Sequence, residues 1–313
     1  MSEYQHGRCW EKLKRISDEK LRKYMIIFTI GYGTGGLVAI VVMYVDMYLE
    51  NDELDLDIPG VYWKGLPFMT WFPFNAHESI AAYLGVYALQ VVYATLTPLT
   101  ITGAILLFFF AAECLLNHVK LLVFSLQHLD QRAKAMFQER YKHEPDENSE
   151  PELELCYYEC IAQNIKHHHN LLREFNEMVA VADYAVAVPF FAGAFFLGLC
   201  GLNLISEGDT RLSPKCVSLC LGATEGLNML LICHYGEAFQ QESEKLFGTI
   251  IGMKWHKRSM KCRRALMLLQ LGCYKPLKIT VGKMIALDMK TFSNLVNSAY
   301  SIFNLSALSK GND

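Results

Sequence analysis

Glu225 lies inside an otherwise uncharged apolar run, Val217 to Tyr235. An ionisable group in such a run is a candidate functional site. Two readings stay open for it: a functional acid, or a protonated or paired group buried between helices. Near the C-terminus, Asn294, Asn297, Ser298, Ser301 and Leu305 fall on one side of a helical wheel, and Leu308 and Ser309 continue it. Phe292, Leu295, Val296, Ala299 and Phe303 fall on the other side. In lipid, a stripe of Asn and Ser must face protein or water. It is either a hydrogen-bonding seam between helices or a pore lining with an apolar constriction at Leu305.

Other constellations read more plainly. Gly31 to Gly36 matches G-x-G-x-x-G, but a dinucleotide fold needs a strand before it, and here it sits in an uncharged run. Small residues that permit close helix contact, or form a pocket wall, are the better reading. Consecutive helical residues point about 100° apart, so His167, His168 and His169 cannot all reach one ion. A solvated helix face is expected for them. Cys156 and Cys160 share a helix face in a segment read as cytosolic, which disfavours a disulfide. Cys200 and Cys216 flank a short loop that a bridge would close.

The elements that must hold these groups are set by how the apolar residues pool. The chain has 313 residues, 52% hydrophobic and 19% charged, with net charge −3 and mean hydropathy +0.16. It is too apolar for disorder. The near-neutral balance argues against a nucleic-acid partner recognised by phosphate neutralisation. Ten cysteines are too sparse for a disulfide scaffold. The apolar residues gather in five runs: Met25 to Val45, Leu84 to Ala112, Tyr184 to Ile205, Val217 to Tyr235, and a weaker Met284 to Leu308. A helix of about 20 residues crosses the roughly 30 Å hydrocarbon core. The expected fold is therefore all-α, a polytopic helical membrane protein with five spans. Ala265 to Tyr274 is too short to span and has cations at both ends, so it reads as a protein-packed or interfacial helix.

Lysine and arginine set the orientation. The segment before the first run holds seven, the connection from Asp46 to Tyr83 one, Glu113 to Asp183 seven, Ser206 to Cys216 two, and Gly236 to Lys283 ten. This is the positive-inside pattern with a cytosolic N-terminus, which shows no secretory signal. The domain reading follows: a cytosolic segment 1–24, a transmembrane region 25–235 with outer loop 46–83 and cytosolic helical hairpin 113–183, a cytosolic segment 236–283, a helix 284–308, and an extracellular tail 309–313. Leu115, Val119, Leu122, Leu126, Leu129, Ala133 and Phe137 recur at steps of three and four, so the second span is expected to continue as a helix. The segments Glu152 to Asp183 and Gly236 to Met260 are expected to extend the third and fourth. The aromatic-rich Val61 to Phe74 suits a headgroup interface or the cap of a ligand pocket.

Several motifs then carry a resemblance. Lys275-Pro276-Leu277, Gly282-Lys283, Thr291-Phe292 and Tyr300-Ser301-Ile302-Phe303, in the stretch from Lys261 to Leu308, resemble the final-helix region of insect odorant receptors. Leu66 to Phe74 (LPFMTWFPF) is similar to that family's second outer loop, and Cys233-His234-Tyr235-Gly236-Glu237 to its sixth-helix exit. The resemblance implies seven helices with the N-terminus inside, of which this chain would lack the first two. It implies an anchor bundle in the cytosol and a split last helix, so that the polar stripe becomes a pore lining. It further implies a nonselective cation channel, a heterotetramer with a shared coreceptor, opened by a small volatile organic ligand in a sensory-neuron membrane. Under that reading the pore residues are Asn294, Asn297, Ser298, Ser301, Leu305 and Leu308. Tyr32, Gly36, Met43, Tyr83, Tyr87 and Phe190 are ligand-binding candidates by depth and side-chain type. Neither an enzymatic activity nor a cofactor is expected. The alternatives are a non-conducting or truncated subunit that packs in the assembly without sensing, and then a gustatory-type receptor or a transporter.

Overall fold

The computed structural model describes residues 2–49, 61–62, 70–71, 73, 79–146, 149–205 and 212–310. Side-chain surroundings are described for a narrower set that omits 2–8, 35–40, 42–49, 61–62, 70–71, 98, 184–185, 187–189, 205, 212–214 and 302–310. The outer segment 46–83 falls almost wholly outside the described side chains, as do its aromatic residues up to Phe74.

Eight α-helices carry the described chain: α1 (Ser2–Leu49), α2 (Ile80–Gln127), α3 (Leu129–Tyr141), α4 (Glu150–Ala185), α5 (Ala187–Ile205), α6 (Leu212–Ile251), α7 (Met260–Cys273) and α8 (Met289–Lys310). Two antiparallel pairs accompany them: β1 (Val61–Tyr62) with β2 (Thr70–Trp71), and β3 (Thr280–Val281) with β4 (Ile285–Ala286). Each of the five apolar runs lies wholly or mainly in one helix. Among the described residues, Ile80–Gln127 and Lys215–Ile251 are long and apolar enough to cross a membrane.

Three boundaries differ from the sequence reading. The last helix begins at Met289 rather than Met284, because Ile285 and Ala286 pair with Thr280 and Val281. The turn between those strands places Gly282 and Lys283 at φ 59° and 57°. Two successive left-handed residues are costly without a glycine, which accounts for the Gly-Lys pair. The fourth extension ends at Ile251, before the short 3-10 turn Trp255–Lys257 and α7, rather than running to Met260. The second extension is broken at His128, between α2 and α3.

The chain divides into two compact units. The first comprises Met1–Leu21, Phe108–Pro189 and Leu231–Phe292. Its core is the stripe read from periodicity: Leu115, Val119, Leu122, Leu126, Leu129, Ala133 and Phe137 are all buried. Leu129, Ala133 and Phe137 pack with Cys156, Tyr157, Cys160 and Ile161 of α4 and with Cys262, Ala265 and Leu266 of α7. Leu122, Val123 and Leu126 pack with Leu246 and Ile250 of α6 and with Leu269 and Cys273 of α7. The short helix α7 is thus protein-packed on one face, while Met267, Leu268 and Leu271 stay exposed on the other. Arg258 fastens its entry, lying 3.6 Å from the centre of the Tyr157 ring and pairing with Asp130 at 2.7 Å.

The second unit comprises Arg22–Leu107, Phe190–Leu230 and Ser293–Asp313. Glycines let its helices approach closely. A Cβ on Gly31 of α1 would come within 2.7 Å of Thr224 Oγ1 on α6, and one on Gly193 of α5 within 2.5 Å of Glu225 Oε1. Gly31 therefore has the close-contact role read for the glycine motif, whereas Gly33 meets nothing within 4 Å.

Candidate functional site

α1, α5 and α6 position the acidic group of the second unit. Tyr32, buried in α1, donates its hydroxyl proton to Glu225 Oε2 at 3.0 Å. Asn228, one turn beyond Glu225 on α6, donates from Nδ2 to Oε1 at 3.4 Å. Phe28 stacks beside Tyr32 with ring centroids 6.2 Å apart. Glu225 itself is half-buried, and Asn228 is 4% exposed with no partner for its Oδ1. Both carboxyl oxygens thus accept protein hydrogen bonds. Asn228 was missed in the sequence, although its spacing of three from Glu225 puts both on one helix face.

The other ligand-site candidates are placed as follows. Tyr83 and Tyr87 stand one turn apart on α2, with ring centroids 6.3 Å apart, and pack on Val86. Phe190 is buried at the start of α5 and meets Phe191 edge-on. Gly36 and Met43 lie further along α1, outside the described side chains. On α8, Asn294, Asn297, Ser298 and Ser301 are all exposed in the isolated chain. Ser301 returns its hydroxyl to the Asn297 carbonyl at 2.9 Å. Leu305 and Leu308 lie outside the described side chains. The start of α8 is fixed by Asp288, whose Oδ1 accepts the Thr291 N–H at 2.7 Å, and by Thr291 Oγ1 donating to the Ala286 carbonyl at 2.7 Å. Such an N-cap is worth about 1 kcal/mol.

In the first unit, three arrangements escaped the sequence reading. Glu113, 2% exposed, accepts from Tyr235 Oη at 2.9 Å and pairs with Lys20 Nζ at 3.4 Å. Its signal in the sequence is its place as the first charge after the second apolar run. The histidine triplet is not a uniformly solvated face. His168 is 7% exposed, with Nε2 3.3 Å from Cys273 Sγ. His167 Nε2 lies 3.2 Å from His118 Nδ1, and the Trp10 ring covers His118 at 4.9 Å. Only His169 of the triplet is exposed. The reason is packing: α4 is covered on more than one side, so neighbours 100° apart both find protein. The cysteines are free thiols, including Cys200 and Cys216, with Cys200 beside Gly222.

Burial pushes the Cys273 thiol up to about 12 and lowers His168, helped by His169, below its usual 6.5. The pair is therefore a neutral thiol against a neutral imidazole. Burial lowers His118 as well, against an opposing pull from Glu174. A base whose folded value is depressed binds more protons when unfolded, so stability rises with pH across that window. We expect the detergent-solubilised protein to melt at lower temperature at pH 5.5 than at pH 7.5. His118→Gln with His168→Gln should shrink that difference, as read by thermal melting at the two pH values.

The long apolar helices, the polar-faced last helix and the acid held among glycine-packed helices define an all-α polytopic membrane protein. The chain belongs to the 7tm odorant receptor family, whose model matches residues 2–300. Odorant receptor 19a of Drosophila melanogaster is 24% identical over 77% of this chain and 57% of its own length. Putative odorant receptor 19b of the same organism is 27% identical over 45% of this chain and 36% of its own length. The chain thus spans less than two thirds of these relatives. Among solved structures it is similar to the insect olfactory receptor OR5 from Machilis hrabei in complex with eugenol, with TM-score 0.70 and 11% identity over 96% of this chain and 70% of that one. That likeness concerns the fold.

Proposed function

We propose that the chain is an odorant receptor subunit acting as a ligand-gated, nonselective cation channel, opened by small volatile ligands in a heterotetramer with the family coreceptor. It is a multi-pass protein of the plasma membrane of sensory dendrites, with five spans here and the N-terminus in the cytosol. The observation that carries the channel reading is the row Asn294, Asn297, Ser298 and Ser301, exposed along α8. Polar groups exposed on a membrane helix need water or another chain, and a pore supplies water. Leu305 and Leu308 continue that row and supply its apolar constriction.

Ligand occupancy among α1, α2, α5 and α6 biases α8, and the constriction wets. Tyr32, Gly36, Met43, Tyr83, Tyr87 and Phe190 remain the proposed ligand contacts. Binding rests on packing with a few polar groups, as in most small-molecule sites. Membership of a receptor family agrees with the expectation of no enzymatic role.

The test is ligand-evoked current from cells that express the chain with the coreceptor. Ser301→Lys is expected to lower cation conductance strongly, because a fixed ammonium in a narrow pore repels the permeant ion. Leu305→Asp should raise basal current by keeping the constriction wet. Robust current with unaltered conductance and selectivity in both variants would refute the pore lining. Surface expression with no current to a broad odorant panel would instead favour the non-conducting subunit.

A further inference from the structure

We propose that Glu225, Tyr32 and Asn228 form an acceptor site for the protonated amine of a volatile ligand. The inference rests on the receptor reading above and narrows its ligand to a chemical class. The oxygens set the argument. Both oxygens of Glu225 receive protein hydrogen bonds, from Tyr32 at 3.0 Å and from Asn228 at 3.4 Å. Each carboxylate oxygen has a second lone pair. The Tyr32 hydroxyl, having donated its proton, is left as an acceptor. Asn228 Oδ1 is buried and accepts nothing. Turning the Asn228 amide over would set two acceptors against each other, so the orientation with Nδ2 toward Glu225 stands.

Beyond the two bonds to Glu225, the three side chains therefore carry acceptor capacity that no described protein donor fills. Among the described residues, no lysine, arginine or histidine forms an ion pair with Glu225. A carboxyl group inside an apolar helix is costly unless it is paired. Glu225 is half-buried rather than sealed in the helix packing. An ammonium group brings three donors and one positive charge, which matches the set. A neutral alcohol brings one donor and no charge. The aromatic face of Tyr32, stacked with Phe28, can lie against the carbon skeleton and the cation. Gly193 closes one side: the α5 backbone packs so near Oε1 that a methyl group there would fall 2.5 Å from it.

The experiment compares volatiles that share one carbon skeleton and differ in a terminal amine, hydroxyl or methyl group, applied to cells expressing the full chain with the coreceptor. For the wild type, the amine should act at a concentration about tenfold or more below the alcohol, the discrimination one charge-assisted hydrogen bond provides. Glu225→Gln should bring that ratio close to one, and Asn228→Leu and Tyr32→Phe should lower it in part. A wild-type ratio near one, or a ratio unchanged in Glu225→Gln, would overturn the amine site while leaving the receptor reading intact. If Glu225→Gln fails to reach the surface, the ratios of the other two variants decide. If no volatile evokes current from surface-expressed wild type, the receptor reading fails, and thermal stabilisation of the purified full chain decides the site by itself. Stabilisation by the amine but not the alcohol, lost in Asn228→Leu, would support the site. Equal stabilisation by both, by neither, or by sodium chloride alone would overturn it.

Discussion

Gly236→Ala is expected to lower sharply the amount of folded protein at the cell surface. Gly236 lies in α6, where the segment leading to α8 crosses it. A Cβ at this position would overlap the carbonyl oxygen of Leu287, with the Leu287 Cβ a further 3.1 Å contact. The obstacle is backbone, not the flexible end of a side chain, so no rotamer relieves it. Leu287 cannot retreat freely, because its N–H donates to the Ile279 carbonyl at 2.9 Å and its side chain is 2% exposed. The next residue, Asp288, caps α8. Moving the crossing therefore costs packing, a hydrogen bond and the cap together. Each such loss costs about 1 kcal/mol or more, against a total stability of only about 5–15 kcal/mol. Surface labelling and size-exclusion profiles of Gly236→Ala and Gly248→Ala make the comparison. Gly248 meets nothing within 4 Å on the same helix, so its alanine variant should resemble wild type. A monodisperse Gly236→Ala variant at the wild-type surface level would refute the crossing.

A second large effect is expected at Glu113. Removing one partner of a buried charge leaves the rest of the group short of hydrogen bonds, at roughly 1.5–3 kcal/mol for a bond to a charged group. Tyr235→Phe takes the 2.9 Å donor away from a carboxyl group that is 2% exposed. Lys20→Met removes a cation whose own side chain is 44% exposed, and that pair is partly screened. Glu113→Gln keeps an acceptor for Tyr235 and removes the charge that must be buried. The expected order of destabilisation is Tyr235→Phe above Glu113→Gln, with Lys20→Met smallest. Thermal melting of the three variants tests it. Lys20→Met as the most damaging of the three would show that the ion pair, not the tyrosine, holds the acid.

Much of this protein is legible in its residue order. The five apolar runs each fall wholly or mainly in a helix, and the seven-residue stripe from Leu115 to Phe137 is buried throughout. Period and run length are local properties, and a helix responds to them wherever it packs. The short Ala265–Tyr274 segment was legible for the same reason: its length and flanking cations excluded a span, and α7 buries one of its faces. The C-terminal motifs pointed to the odorant receptor family, to which the chain belongs.

Partners distant in sequence were not legible. Tyr32 and Glu225 are 193 residues apart, and Tyr235 and Glu113 are 122 apart. Spacing rules speak for pairs within one helix, and nothing in either sequence neighbourhood names the other. The histidine triplet shows the same limit from the other side. Its angular spread was readable, but whether each direction met water or protein depended on where α2 and α7 packed. The start of α8 was set by the β3–β4 pairing, which took Ile285 and Ala286 from an otherwise continuous apolar run. By itself, then, the sequence determined the helical segments, the buried stripe from Leu115 to Phe137 and the family. Tertiary structure decided the meeting points: which oxygen faces which donor, where two backbones cross at Gly236, and which acceptor is left open at Asn228. Helix formation is governed by neighbours three and four residues away, whereas these contacts exist only once separate helices are packed against one another.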